Sequence, residues 1–128
     1  MLTRASRAII VDDSRATRTI LRRTLTEEGF EVIEAGDGQQ ALDQLTQAGA
    51  LDLALVDWNM PVMNGLELIG QLRARSEFDG MAIMMVTTET EIHQVQRALD
   101  AGANEYVMKP FTPDILREKL LLLGLGKD

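Results

Sequence analysis

The sequence predicts an α/β fold, a (βα)5 doubly wound five-stranded parallel sheet. Three observations predict it. Short apolar runs alternate five times with longer amphipathic segments. The runs are mostly apolar throughout, as strands covered on both faces are. No Gly, Pro or Ser linker interrupts the alternation, so a single domain over 1–128 accommodates it.

The first run, Ala8-Ile9-Ile10-Val11, is too short for a stable helix and is read as a strand. Residues 14–28 follow, with Ile20, Leu21 and Leu25 on one helical stripe and Gly29 where a C-cap is wanted. The second strand runs from Val32 to Ala35, and Glu31 and Glu34 among its apolar residues mark an edge. Residues 38–47 form the second helix on Ala41, Leu42 and Leu45. Leu53 to Val56 make the third strand, and residues 65–74 a helix on Leu66, Leu68, Ile69 and Leu72. The fourth strand is Met81 to Val86, followed by a helix over 91–101 on Ile92, Val95, Ala98 and Leu99 and closed by Gly102. Tyr106 to Met108 form the fifth strand. The fifth helix covers 113–123 on Ile115, Leu116, Leu120 and Leu123, with Pro113 in its first turn. Leu120 to Leu123 runs right round this helix, so Leu121 or Leu122 is expected at the surface.

Composition narrows the function. There is no cysteine, so disulfides and thiolate metal sites are excluded, and the lone His93 excludes a site needing two imidazoles. His93 itself falls on the fourth helix and is read as a surface residue. A net charge of −7 argues against a general nucleic-acid binder. The apolar run near the start is too short for a signal peptide or a membrane span, which points to the cytoplasm.

In a sheet of this kind ligands bind beyond the carboxyl ends of the strands. Asp12 and Asp13 end the first strand, Asp57 the third, Thr87 and Thr88 the fourth, and Lys109-Pro110 the fifth. Three carboxylates in one crevice repel one another and raise one another's pKa. A hard divalent cation relieves this, and Mg²⁺ is usually held by one or two carboxylates with waters and phosphate oxygens. With the Lys109 ammonium beside them, these groups suit a phosphoryl group.

These motifs carry a resemblance. Asp12-Asp13, Asp57 in VDWNMPVMNG, Thr87 in VTTE and Lys109 in YVMKPF make the chain similar to two-component response regulator receiver domains, whose fold is flavodoxin-like. The segments GLELI, AGANEYVMKPFT and LREKL bring it nearest to stand-alone, CheY-like chemotaxis regulators. The resemblance implies that Asp57 accepts a phosphoryl group from a histidine kinase (CheA-like), a phosphotransfer protein or a small acyl phosphate. It implies Mg²⁺ held by Asp12, Asp13, Asp57 and the backbone carbonyl of Asn59. Thr87 and Lys109 would meet the phosphoryl oxygens, and Lys109-Pro110 would be cis. Thr87 and Tyr106 would form the switch, while Asn59 and Glu89 would tune dephosphorylation. The output face would be the fourth helix, fifth strand and fifth helix, used by a downstream protein target or for dimerisation of an otherwise monomeric chain. A phosphatase is a further partner such a chain can have.

Other readings stay open. A phosphorelay intermediate or a non-flagellar output would use the same chemistry. An aspartyl-phosphate phosphohydrolase would want a second acid where Asn59 stands. A binding module that never uses the site is opposed by the intact residue set, and a flavin site by the lack of a hydroxyl-rich phosphate loop. No output domain is expected within this length. Glu91 and Ile92 open the fourth helix, where chemotaxis versions often carry lysine, so flagellar-motor docking is left open. Residues 1–26 hold six arginines against two aspartates, and Arg15, Arg18 and Arg22 are expected either to dock an acidic partner or to form a solvated face. Met60 and Met63 beside the site loop are expected to pack.

Overall fold

The computed structural model describes residues 6–49 and 51–125, apart from the side chain of Glu89. The elements alternate as β1 (Ser6–Val11), α1 (Arg15–Glu27), β2 (Phe30–Ala35), α2 (Gly38–Ala48), β3 (Leu53–Asp57), α3 (Gly65–Arg73), β4 (Ala82–Thr88), α4 (Val95–Ala101), β5 (Glu105–Lys109) and α5 (Pro113–Leu122). All five strands are parallel, in the order β2-β1-β3-β4-β5. The order reverses between β1 and β3, which opens a crevice at their carboxyl ends. The Glu-bearing β2 is an edge, as its sequence predicts.

Side-chain caps start α1, α2, α3 and α5. Ser14 accepts from the Thr17 amide at 3.2 Å, and Asp37 from that of Gln40 at 2.8 Å. Asn64 and Glu67 form a reciprocal capping box, and Thr112 caps α5 one residue before Pro113. Gly29 and Gly102 both have positive φ at helix ends, 93° and 122°.

The two-residue alternation of the strands builds two apolar layers. Ile9, Val11, Ala54, Val56, Ile83 and Met85 pack with α2, α3 and α4. Ala8, Ile10, Leu53, Leu55, Met84, Val86 and Val107 pack with α1 and α5. Leu121 and Leu122 are exposed, as the unbroken leucine run requires. His93 is exposed, and Met60 is buried while Met63 packs against the α2–α4 layer.

Several expectations change. The fourth helix does not begin at 91: Glu89–Gln94 is 3-10 helix, and α4 proper has seven residues. The Glu91 carboxylate folds back to accept from the Thr88 amide at 3.3 Å and hydroxyl at 3.0 Å, holding the tighter turn against the strand end. Met81 lies outside β4, because its amide closes a turn onto the Phe78 carbonyl, although its side chain is buried. Ile20, Ile92, Leu99 and Ile115 share a helical stripe with core residues but sit at its margin and are exposed. One helix face buries only its centre line.

Candidate functional site

The carboxyl ends of β1, β3 and β5 bring four ionisable groups together. Asp12, Asp13 and Asp57 each offer a carboxylate oxygen within 4.8 Å of the others. Asp12 and Asp57 are buried, and Asp13 is exposed at the rim. Lys109 reaches across from β5, its Nζ 3.3 Å from Asp12 Oδ2 and 3.3 Å from Asp57 Oδ1. Strand parity explains the convergence. Asp12, Asp57 and Lys109 continue the register of Ile10, Leu55 and Val107, so all three leave the sheet toward the α1 and α5 side.

The electrostatics follow from burial. Burial pushes the Asp57 carboxyl up to about 6, the Asp12 charge adds to this, and Lys109 opposes it. For Lys109, burial alone would lower the pKa, but the Asp57 and Asp12 carboxylates outweigh it and raise it. One ammonium against three carboxylates leaves the cluster short of positive charge. The donor set is three hard oxygen ligands, one solvent-accessible, which fits a hard divalent cation such as Mg²⁺.

Around the acids the backbone is held firmly. The Asp12 amide donates to the Ala35 carbonyl at 3.1 Å, and Asp12 Oδ1 accepts from the Ser14 amide at 2.8 Å. Trp58 N–H donates to the Val86 carbonyl at 3.0 Å, and Gly65 N–H closes the loop onto the Trp58 carbonyl at 3.0 Å. A Cβ at Gly65 would stand 2.5 Å from the Asp57 carbonyl oxygen, so only glycine lets α3 begin against the end of β3. Between these anchors Met63 N–H bonds the Pro61 carbonyl at 2.7 Å around Val62, which has φ 69° and is 80% exposed. This is a γ-turn on a β-branched residue, a strained arrangement beside the site. Asn59 is exposed in the same loop, and Lys109-Pro110 is cis.

Thr87 is fully buried, and its hydroxyl makes only a long 3.4 Å contact to the Thr88 carbonyl. By parity it faces the α2–α4 side, as does Tyr106, which pairs with Met85 across β4 and β5. The half-buried Tyr106 ring carries Lys119 Nζ 4.5 Å from its centroid, and Lys119 also pairs with Glu105 at 3.0 Å. Thr87 and Tyr106 therefore share a face that Asp12 and Asp57 do not. Glu89 begins the 3-10 turn, and its side chain lies outside the described residues.

Sequence reasoning missed the use of the arginines on α1. Arg18 Nε donates to Glu34 at 3.0 Å and its Nη1 to the Asp12 carbonyl at 2.6 Å. Arg22 pairs with the same Glu34 and donates to the Val32 carbonyl at 3.1 Å. Desolvation opposes ionisation of Glu34, but the bonds from Arg22 and Arg18 prevail and lower its pKa. Two of the three arginines expected either to dock a partner or to form a solvated face are thus bonded within the chain, while Arg15 is exposed. The available signal was Glu34 itself, an acid on an edge strand beside a basic helix.

Residues 8–121 match the response regulator receiver domain family. The chain is 48% identical over 120 residues to a chemotaxis protein CheY homolog of Campylobacter jejuni, covering 92% of each. It is 44% identical over 118 residues to the chemotaxis protein CheY1 of Helicobacter pylori, covering 91% of this chain and 95% of that one. Among solved structures, the chemotaxis protein CheY4 of Vibrio cholerae superposes with a TM-score of 0.86 at 35% identity, covering 94% of this chain and 99% of that one.

Proposed function

The chain belongs to the response regulator receiver family, a family of signalling switches, and from that premise we propose that it is a CheY-type regulator phosphorylated on Asp57. One observation carries the reading: a buried carboxylate with Asp12 and Asp13 beside it and the Lys109 ammonium across from it. An Asp57 oxygen attacks the phosphorus of a phosphohistidine or a small acyl phosphate. The new O–P bond forms as the donor's N–P or O–P bond breaks, and the electron pair leaves with the imidazole or carboxylate. Asp12, Asp13, Asp57 and the Asn59 carbonyl would hold Mg²⁺. The cation would supply the charge that keeps Asp57 ionised and neutralises the phosphoryl oxygens. Lys109 holds another of those oxygens.

The switch follows from parity. A phosphoryl group brings about −1.5 to −2 charges and strong acceptors. The Thr87 hydroxyl, weakly engaged at 3.4 Å, is free to turn to it. Its displacement is felt on the face it shares with Tyr106, so the ring exchanges the Lys119 contact for the space beside Thr87. Partner binding on α4, β5 and α5 then reports phosphorylation. Asn59 and Glu89 flank the attacking water and set the lifetime of the signal. The chain acts in the cytoplasm on a separate protein target, with a histidine kinase or phosphotransfer protein upstream. Its match over nearly the whole length of CheY-named relatives supports this, and among the described residues no helix is long and apolar enough to cross a membrane.

Trp58, next in sequence to Asp57, gives the test. Mg²⁺ should change its fluorescence, and a small acyl phosphate should change it further. Silence toward Mg²⁺ in the wild type, or a full acyl-phosphate response in Asp57→Asn, refutes the assignment.

A further inference from the structure

We propose that Arg18 is a positioning residue for the Asp12–Asp13 acid pair, and that its grip on the Asp12 carbonyl sets the affinity of the site for a divalent cation. The inference rests on the cation-assisted reading of the site and adds a residue to it. Asp12 directly follows Val11, the last residue of β1. Its amide is taken by Ala35, its Oδ1 by the Ser14 amide and its Oδ2 by Lys109. Its carbonyl belongs to the peptide plane that leads into Asp13. Arg18 Nη1 holds that carbonyl at 2.6 Å. Fixing the plane fixes the direction in which the Asp13 chain leaves it, and with it the exposed carboxylate that completes the cluster.

Arg18 is itself held. Its Nε bonds Glu34 at 3.0 Å, and Arg22 braces the same carboxylate from one helical turn further along. Glu34 sits opposite Ile10 in the β1–β2 register, so this brace is anchored to the sheet edge rather than to a loop. Arg22 makes no bond to Asp12; its other hydrogen bond is to the Val32 carbonyl. The two arginines therefore separate position from charge.

Charge and position also predict opposite signs. A guanidinium near a cation site repels the cation, so deleting its charge should tighten binding if charge alone mattered. If Arg18 positions the acids, deleting it weakens binding.

The experiment titrates Mg²⁺ into the wild type and into Arg18→Met, Arg18→Lys and Arg22→Met, read by Trp58 fluorescence. Hydrogen exchange of the Ser14 amide is measured on the same proteins in chelator. The Mg²⁺ dissociation constant should rise roughly tenfold in both Arg18 variants. It should change less than about twofold in Arg22→Met. The Ser14 amide should exchange faster in the Arg18 variants while amides of β3 keep their protection, which a merely global loss of stability would not produce. Tighter or unchanged Mg²⁺ binding in Arg18→Met, or an equal loss in Arg22→Met, overturns the proposal. Unaltered Ser14 exchange in the Arg18 variants overturns it too, without any metal present. If Arg18→Met does not fold, Arg18→Lys, which keeps the charge and loses the fork, decides the matter by the same criteria. A wild type blind to Mg²⁺ brings down the reading of the site as well; a responsive wild type with indifferent Arg18 variants brings down only this inference.

Discussion

The two ends of the sheet treat charge in opposite ways. At the carboxyl end three carboxylates meet one ammonium, Asp57 is pushed up to about 6 by burial and its neighbours, and Val62 is held at positive φ. At the amino end one guanidinium meets only acceptors. Arg73, the last residue of α3, donates to the carbonyls of Gly102 at 3.0 Å, Phe78 at 2.7 Å and Met81 at 2.8 Å. It also donates to Asn104 Oδ1 at 2.9 Å, which accepts from the Ile83 amide as well. Burial lowers the Arg73 pKa and the charge of Asp79 opposes this. Its N–H groups satisfy the carbonyl that closes α4 and two carbonyls of the turn before β4. One end is satisfied and stabilises; the other is left short of positive charge, and that deficit is what a divalent cation can fill.

The largest effect is expected at the satisfied end. Arg73→Met strands several carbonyls at once and should cost about 3 kcal/mol in denaturant unfolding, while the folded fraction still takes phosphoryl from a small acyl phosphate. A loss below about 1 kcal/mol would erase the contrast between the ends.

The next is smaller and has the opposite sign. Asp57 keeps its proton in the folded chain up to about pH 6, whereas an ordinary aspartate releases it near 3.8. The folded state binds the extra proton in that window. The group's contribution is therefore full below about 3.8 and is lost as pH rises through about 6. In chelator at pH 7, Asp57→Asn should stabilise the chain by about 1–2 kcal/mol, discounted from the full shift because water reaches the rim. The gain should vanish toward pH 4. A pH-independent gain would show that charge is not its source.

The smallest effect sharpens the comparison. Val62→Asn relieves the left-handed backbone at the strained end and should add about 1 kcal/mol in thermal unfolding. No gain would place the strain elsewhere.

Legibility divides along the same line. Asp12, Asp57, Thr87 and Lys109 were readable because each follows an apolar run, and strand ends converge by topology. Arg73 was not, because its partners are main-chain carbonyls that leave no mark in sequence. Its one trace is Gly102, where a Cβ would stand 2.4 Å from Arg73 Cγ. The start of α4 was misplaced because the period of Ile92, Val95 and Leu99 says nothing of Glu91 folding back onto Thr88. Arg18 and Arg22 were open in sequence to either a docking or a solvated role, because their pairing with Glu34 on a neighbouring strand leaves no local pattern.

The alternation, the strand ends and the chemical kind of site are legible in the primary structure, because they depend on local period and residue type. Which charges meet depends on the folded chain. Arg18 and Glu34 are sixteen residues apart, and Lys109 and Asp12 ninety-seven. Pairings over such distances are set by strand order, register and parity, and a hydrophobic pattern carries none of these.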